Sequence, residues 1–208
     1  MPRPRRDGDT PSATQRMIDA FWQLLSQTEY RNITVTDIVR EAGVNRNSFY
    51  YHFSKLGELA DAAILAEVNS SPLANESPDP NDGPHEWREH ITEVFATPGQ
   101  TRRLDRLALL ASPNSSPELV ESLHDFGRMS LMRMLDRDES DLDLRTDLLI
   151  DFAVGGLLSV LKRWPQLRQS IDMKRLMNED LAVLAMGMYM SMSKEDMLDS
   201  WNRIFNKA

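Results

Sequence analysis

The sequence predicts an all-α protein, and three observations carry that prediction. Apolar residues recur at the three- and four-residue spacing of a helix face from Met17 to Met188. Capping residues and glycine or proline stops bracket these segments at helical lengths. No stretch shows the strict apolar–polar alternation of a half-buried strand, and the sequence has no internal repeat. The 208 residues are 41% hydrophobic, enough for one or two domains with a sizeable core. There is no cysteine, which excludes disulfides, thiolate metal sites and cysteine nucleophiles. No apolar run approaches the ~18 residues of a membrane span, and Met1 to Pro11 lacks the apolar segment of a secretion signal. The expectation is a soluble, cytoplasmic protein.

Residues 1–12 (MPRPRRDGDTPS) are proline-rich and are expected to form a flexible basic arm. Ala13 to Gln27 is a helix capped by Ser12, with Met17, Ala20, Phe21, Leu24 and Leu25 as its buried stripe. Tyr30 and Ile33 close the gap to the next element. The segment Ile33–Phe53 (ITVTDIVREAGVNRNSFYYHF) then reads as two short helices joined by a tight turn. Thr34 caps the first helix, and Asp37 three residues on completes a capping box. Val35, Ile38, Val39 and Ala42 follow at helical spacing and face inward. Gly43 supplies the left-handed residue that ends a helix without a Cβ penalty, and Val44 fills the elbow. Asn45 caps the second helix, with Ser48 at its third position. Phe49 and Phe53, four apart, belong inside, which leaves Arg46, Asn47, Tyr50 and Tyr51 outward.

That outward face suits the major groove of DNA. Arg and Asn can make bidentate contacts with guanine and adenine edges. Tyrosine hydroxyls and helix N-terminal amides suit phosphates. The same spacing also fits an ordinary corner between two helices with a decorated surface. The net charge of −8 divides unevenly: through Leu56 there are eight Lys/Arg against six Asp/Glu, and the remainder carries 16 against 26. An acidic body behind a weakly basic end repels DNA from every face but one. Arg3, Arg5 and Arg6 of the arm suit a minor groove, or the arm is a solvated tail.

The segment ITVTDIVREAGVNRNSFYYHF, near the N-terminus of a helical chain of this length, resembles the helix-turn-helix of the TetR (tetracycline repressor-like) regulators. The resemblance covers about Thr14 to Ala66, where the ITV opening, the AGV elbow and the FYYHF ending fall in the family's order. It implies a DNA-binding domain with its connecting helix at 13–69, a loop at 70–84, and a helical bundle for effector binding and dimerisation at 85–208. Arg46 and Asn47 are then the base readers, with Thr36 reaching in from the preceding helix. Thr34, Asn45, Ser48, Tyr50, Tyr51, His52 and Lys55 fix the register on phosphates.

The fourth helix, SKLGELADAAILAEVN, is expected to be capped by Ser54 and to bury Leu56, Leu59, Ala63 and Ala66. Here the chain departs from the family's pattern. Members generally carry a phosphate-contacting Lys three residues after the Phe of this motif, where this chain has Leu56, with Lys55 one place earlier. Gly57 also weakens the first turn by ~1 kcal/mol relative to Ala.

Residues 70–84 (SSPLANESPDPNDGP) form the clearest break in the chain. Beyond it, His85 to Ala96 is helical and ends at Pro98-Gly99. Gln100 to Ala111 follows with Leu104, Leu107, Ala108 and Leu110 inward. Ser116-Pro117-Glu118 opens a helix to about Asp136, its stripe running through Leu119, Leu123, Phe126, Met129, Ser130, Met132 or Arg133, and Met134. A very apolar helix spans Leu142 to Trp164 and stops at Pro165. Asp172 caps the last major helix, to about Met192.

Two features of this second region bear on function. The adjacent glycines of FAVGGLLS (152–159) cost ~2 kcal/mol inside a helix, so they serve the close approach of another backbone or of a ligand. Ala153, Gly155, Gly156 and Ser159, with Ala182 and Ala185 on the last helix, suit a four-helix dimer interface or packing within one chain. The family resemblance implies the dimer. Methionines concentrate in the same half and suit an adaptable apolar pocket or a plain core. A pocket would be lined by Phe126, Met129, Phe152 and Trp164, with Arg133, His124, Asp151 or Tyr189 as polar contacts.

Catalysis finds little support. His52, His85, His90 and His124 lack metal-ligand spacing, and the acidic run from Asp136 to Leu144 has no EF-hand glycine and reads as a solvated turn. No metal or cofactor is expected. The combined expectation is a homodimeric regulator, a repressor, released from a palindromic double-stranded DNA operator by a small apolar or amphipathic effector. The competing reading is a helical interaction or carrier protein that keeps the corner without using it on DNA.

Overall fold

The computed structural model describes residues 11–70, 98–138, 140, 142–170 and 191. The basic arm through residue 10, the expected helix at 85–96, most of the 70–84 loop and the last helix, with Ala182, Ala185 and Tyr189, lie outside them. Among the described residues there are seven α-helices and no strand. They are α1 (Ala13–Gln27), α2 (Val35–Glu41), α3 (Arg46–His52), α4 (Leu56–Asn69), α5 (Pro98–Leu109), α6 (Pro117–Met134) and α7 (Leu144–Ser170). A single 3-10 turn, Tyr30–Asn32, joins α1 to α2. None of the described helices is long and apolar enough to cross a membrane.

One apolar core runs from the first helix to the last described one. Met17, Phe21 and Leu25 of α1 meet Ile38 of α2, Phe49 of α3, and Leu59, Ala63 and Ile64 of α4 without a break. The same cluster continues through Leu104 and Leu107 of α5 and Leu119 and Leu123 of α6 to Leu161 and Trp164 of α7. Helix α4 packs against α1 on one side and against α5 and α6 on the other. It therefore belongs structurally to both the N-terminal head and the region behind it. A second, smaller cluster (Leu135, Ile150, Ala153, Val154) joins α6 to α7. The two helices approach closely at Gly127, where an added Cβ would lie 3.3 Å from a methyl of Val154.

Polar contacts supplement this packing at the join between head and second region. The Asn114 side-chain amide donates to the Leu25 carbonyl (3.0 Å), and the Asn114 backbone carbonyl accepts from the Tyr30 amide (2.8 Å). Ser122 Oγ donates to Asp61 (2.7 Å). Arg106 of α5 donates to both Asp19 of α1 and Glu67 of α4, each at 2.6 Å. Arg103 Nε donates to the Glu67 carbonyl at 2.5 Å. Burial lowers the pKa of Arg103, partly offset by the Glu67 charge. At Arg106 burial acts in the same direction, but the hydrogen bonds with Glu67 and Asp19 outweigh it and hold the group above its ordinary value.

Several boundaries differ from the expectations. Pro98 and Gly99, expected to precede the helix that opens at Gln100, are the first described residues of α5, and the helix expected before them lies outside the described residues. Asp143, in the acidic run expected as a solvated turn, is exposed and also caps α7, its carboxylate accepting from the Thr146 amide at 2.7 Å. Helix α7 runs through Pro165 to Ser170. Trp164 just before the proline is buried and donates to Asp105 (2.8 Å), and Arg168 just after it pairs with the same carboxylate (2.5 Å). Tertiary anchors on both sides outweigh the local ~3 kcal/mol penalty of the ring.

Candidate nucleic-acid interface

Helix α1 is the floor on which α2 and α3 are held. The capping box that opens α2 is complete. The Thr34 amide and hydroxyl both donate to Asp37, at 3.1 and 2.6 Å, and the Asp37 amide returns a bond to Thr34 Oγ1 at 3.3 Å. The Thr34 hydroxyl, and then its amide, hold the Asp37 carboxyl below the usual carboxylate range, with Arg40 adding to the effect.

Gly43 ends α2 at φ 60°, the left-handed region that favours glycine. The Val44 amide donates to the Val39 carbonyl (3.0 Å) and the Gly43 amide to the Arg40 carbonyl (3.3 Å), the paired bonds of a Schellman stop. Arg16 of α1 donates to the Gly43 carbonyl at 3.3 Å, tying the elbow to the floor. Nothing near Arg16 in the sequence signals this bond, whose partners are 27 positions apart.

Asn45 accepts from the Ser48 amide at 2.7 Å and starts α3. Phe49 and Phe53 are buried, with ring centroids 5.8 Å apart, and they fix which way the helix turns. Arg46, Asn47, Tyr50, Tyr51 and His52 are all exposed on its other side, Tyr51 at 84% and Tyr50 at 50%. The Arg46 guanidinium reaches the Tyr50 hydroxyl (3.4 Å) and lies 5.7 Å from its ring centroid. The outward surface thus carries fork and amide donors next to two phenols. Thr36 is exposed on α2. Thr34 and Asn45, expected both to cap and to meet phosphates, cap α2 and α3 and are exposed.

At the start of α4 the expected cap shifts by one residue. Lys55, with extended backbone, occupies the cap position, while the Ser54 amide and hydroxyl donate to Glu58 at 2.6 and 2.7 Å. Those Ser54 bonds, aided by the Lys55 charge, lower the Glu58 pKa. Leu56 packs against the core and so cannot stand in for a phosphate-binding lysine, whereas Lys55 is exposed. Ala66, expected inside, is exposed; Ala60 and Val68 are buried.

The residues expected to line an effector pocket are dispersed. Trp164 is buried in the main core, Phe126 packs against that core, and Met129 is exposed. Arg133 donates to Asn69 at 3.2 Å, and Phe152 is 68% exposed on the solvent side of α7. The small-residue face also divides. Ala153 is only 9% exposed and packs with Ile150 and Val154 inside the chain, because Val154 and Ile150 set the buried side of α7. Gly156 and Ser159 are exposed, and nothing lies within 4 Å of a Cβ added at Gly155 or Gly156. Around them Leu144, Leu148, Phe152, Leu157 and Val160 form an exposed apolar stretch of the same helix. Among the described residues no cluster of His and acidic groups could hold a metal ion.

Comparisons with known proteins agree with this geometry. Residues 17–63 match the family model of bacterial regulatory proteins, tetR family. No curated protein sequence matches the chain. Among solved structures, a tetR-family transcriptional regulator from Streptomyces coelicolor shares the fold at 20% identity and a TM-score of 0.51, over 93% of this chain and 88% of that one. The fatty acid degradation regulator FadR from Bacillus halodurans is 18% identical with a TM-score of 0.54, over 86% of this chain and 97% of that one. The match falls on the head whose elbow, caps and outward face have just been described, and that helix-turn-helix head is similar to the one shared by bacterial regulatory proteins of the tetR family.

Proposed function

We propose that this regulator is a cytoplasmic homodimer that represses transcription from a roughly palindromic operator and is released by a small apolar or amphipathic effector. The observation that carries the DNA-reading part is α3 itself, with Phe49 and Phe53 buried and Arg46, Asn47 and Tyr50 turned outward. Arg46 and Asn47 read base edges, with Thr36 beside them. Ser48, Tyr50, Tyr51, His52 and Lys55 hold phosphates, and Thr34 and Asn45 act chiefly by keeping their helices capped. Two such helices related by a two-fold axis would enter successive major grooves ~34–36 Å apart.

Dimerisation is supported by the uncovered apolar stretch of α7 around Gly155 and Gly156. Glycines with nothing among the described residues within 4 Å of an added Cβ suit the close approach of a second helix, and large exposed apolar residues beside them favour burial there. Effector control draws on the double membership of α4: a ligand that shifts α5 or α6 moves the helix that also supports α1. Release follows if the ligand prefers the arrangement that fits DNA poorly.

The test is selection of bound duplexes from a random-sequence DNA pool, followed by affinity measurements with Arg46→Ala. The selected duplexes should be palindromic. The variant should lose ~1–3 kcal/mol and relax preference at one base pair per half-site. Equal loss on every sequence would remove Arg46 from the base readers, and failure to enrich any duplex would overturn the operator reading.

A further inference from the structure

We infer that Arg106 is a positioning residue, a clasp that fixes the angle of the DNA-binding head on the region behind it. The apolar join between α4 and α5–α6 is large but non-directional, and apolar surfaces of this kind can slide with little change in buried area. A guanidinium fork is directional. One arm of Arg106 holds Asp19 on α1 and the other holds Glu67 near the end of α4, both at 2.6 Å. Arg103, one turn earlier on α5, holds the Glu67 carbonyl and is itself braced by Gln100 at 2.7 Å. Arg106 and Glu67 side chains are 19% and 12% exposed, so the pair is poorly screened by salt, and swapping partners would leave a charge without compensation. A half-buried ion pair of this kind adds little net stability over an apolar substitute; what it supplies is a single preferred geometry. Three helices therefore meet at one angle, and that angle sets where each α3 stands.

The consequence for operator spacing rests on the DNA-binding reading above, but the clasp can be tested without DNA. Because the chain has no cysteine, Glu41→Cys on α2 and Glu121→Cys on α6, both exposed, provide a unique pair for spin labels. Labelled full-length protein diluted with unlabelled protein should give one narrow head-to-body distance. Arg106→Gln and the gentler Glu67→Gln should broaden or split that distribution, and Arg106→Lys, which keeps the charge but lacks the planar fork, should restore it in part. On selected duplexes with one base pair inserted between half-sites, the loss of affinity should shrink from about tenfold in the unsubstituted protein to about twofold in Glu67→Gln. A distribution as narrow as the original in folded Arg106→Gln or Glu67→Gln, whatever their melting temperatures, overturns the clasp. Absence of DNA binding by the unsubstituted protein would instead remove the operator reading, while the distances still judge the clasp.

Discussion

Among the described residues the head exposes only Tyr50 and Tyr51 of its large apolar side chains, both on α3, whereas α7 alone exposes Leu144, Leu148, Phe152, Leu157 and Val160. The head is finished within one chain. Its apolar faces are covered, α1, α2 and α3 each open on a cap bonded three residues on, and the large side chains left outside are polar or aromatic. Helix α7 is finished on one side only, where Ile150, Ala153 and Val154 meet α6. Among the described residues nothing covers the other side, and an exposed apolar face of this size is of the kind that interaction surfaces use. The contrast separates a surface made for a hydrated, charged partner from one made for an apolar partner.

The contrast can be broken at either end. The largest effect is expected from Phe49→Ala, which removes a wholly buried ring from the centre of the head and should cost about 3–5 kcal/mol in denaturant unfolding. A loss below about 1 kcal/mol would mean that α3 is not held by its buried side. Next, Leu148→Asp with Phe152→Asp should weaken self-association on the order of a hundredfold or more, read by sedimentation, with the helix content of the monomer unchanged. Unaltered association would leave the exposed side of α7 without the partner assigned to it.

Smaller effects sharpen the account of the head. Asn45→Ala removes the cap of α3 and should lower stability by about 1 kcal/mol, with DNA affinity falling in proportion on every sequence. A sequence-selective loss would instead point to base contact by Asn45. The smallest effect concerns acid. Because the Asp37 pKa is lowered in the folded head, its contribution is complete above the ordinary carboxylate range and disappears as pH falls through its lower folded value. Asp37→Asn should therefore be less stable than the original near neutrality, and the difference should narrow in acid melts. A constant difference across the acid range would contradict the capping-box bonds.

The comparison also explains what could be read in advance. Thr34–Asp37, Asn45–Ser48, Gly43 and the Phe49/Phe53 pair act over three to five residues, so spacing alone carries them. The family resemblance placed the same residues in a DNA-reading head. The miss at Ser54 was a matter of one position, because serine followed four residues later by Glu58 binds that carboxylate from outside the helix while Lys55 takes the cap. Pro165 looked like a stop because its anchors, Trp164 and Arg168, act through Asp105 about 60 residues earlier, a partner no local pattern reveals. The exchange of Phe152 and Ala153 has the same origin: a helix apolar on nearly every side does not announce which side its own chain will bury. Arg106 was invisible for the clearest reason, since its partners stand 39 and 87 residues away.

The most direct measurement is a hydroxyl-radical footprint of the full-length protein on a duplex selected from a random pool. Two protected patches on one face of the helix, centred about one turn apart and both weakened by Arg46→Ala, are the predicted result. A single patch, patches on opposite faces, or protection indifferent to Arg46 would contradict the claim that paired copies of α3 meet DNA through their outward side.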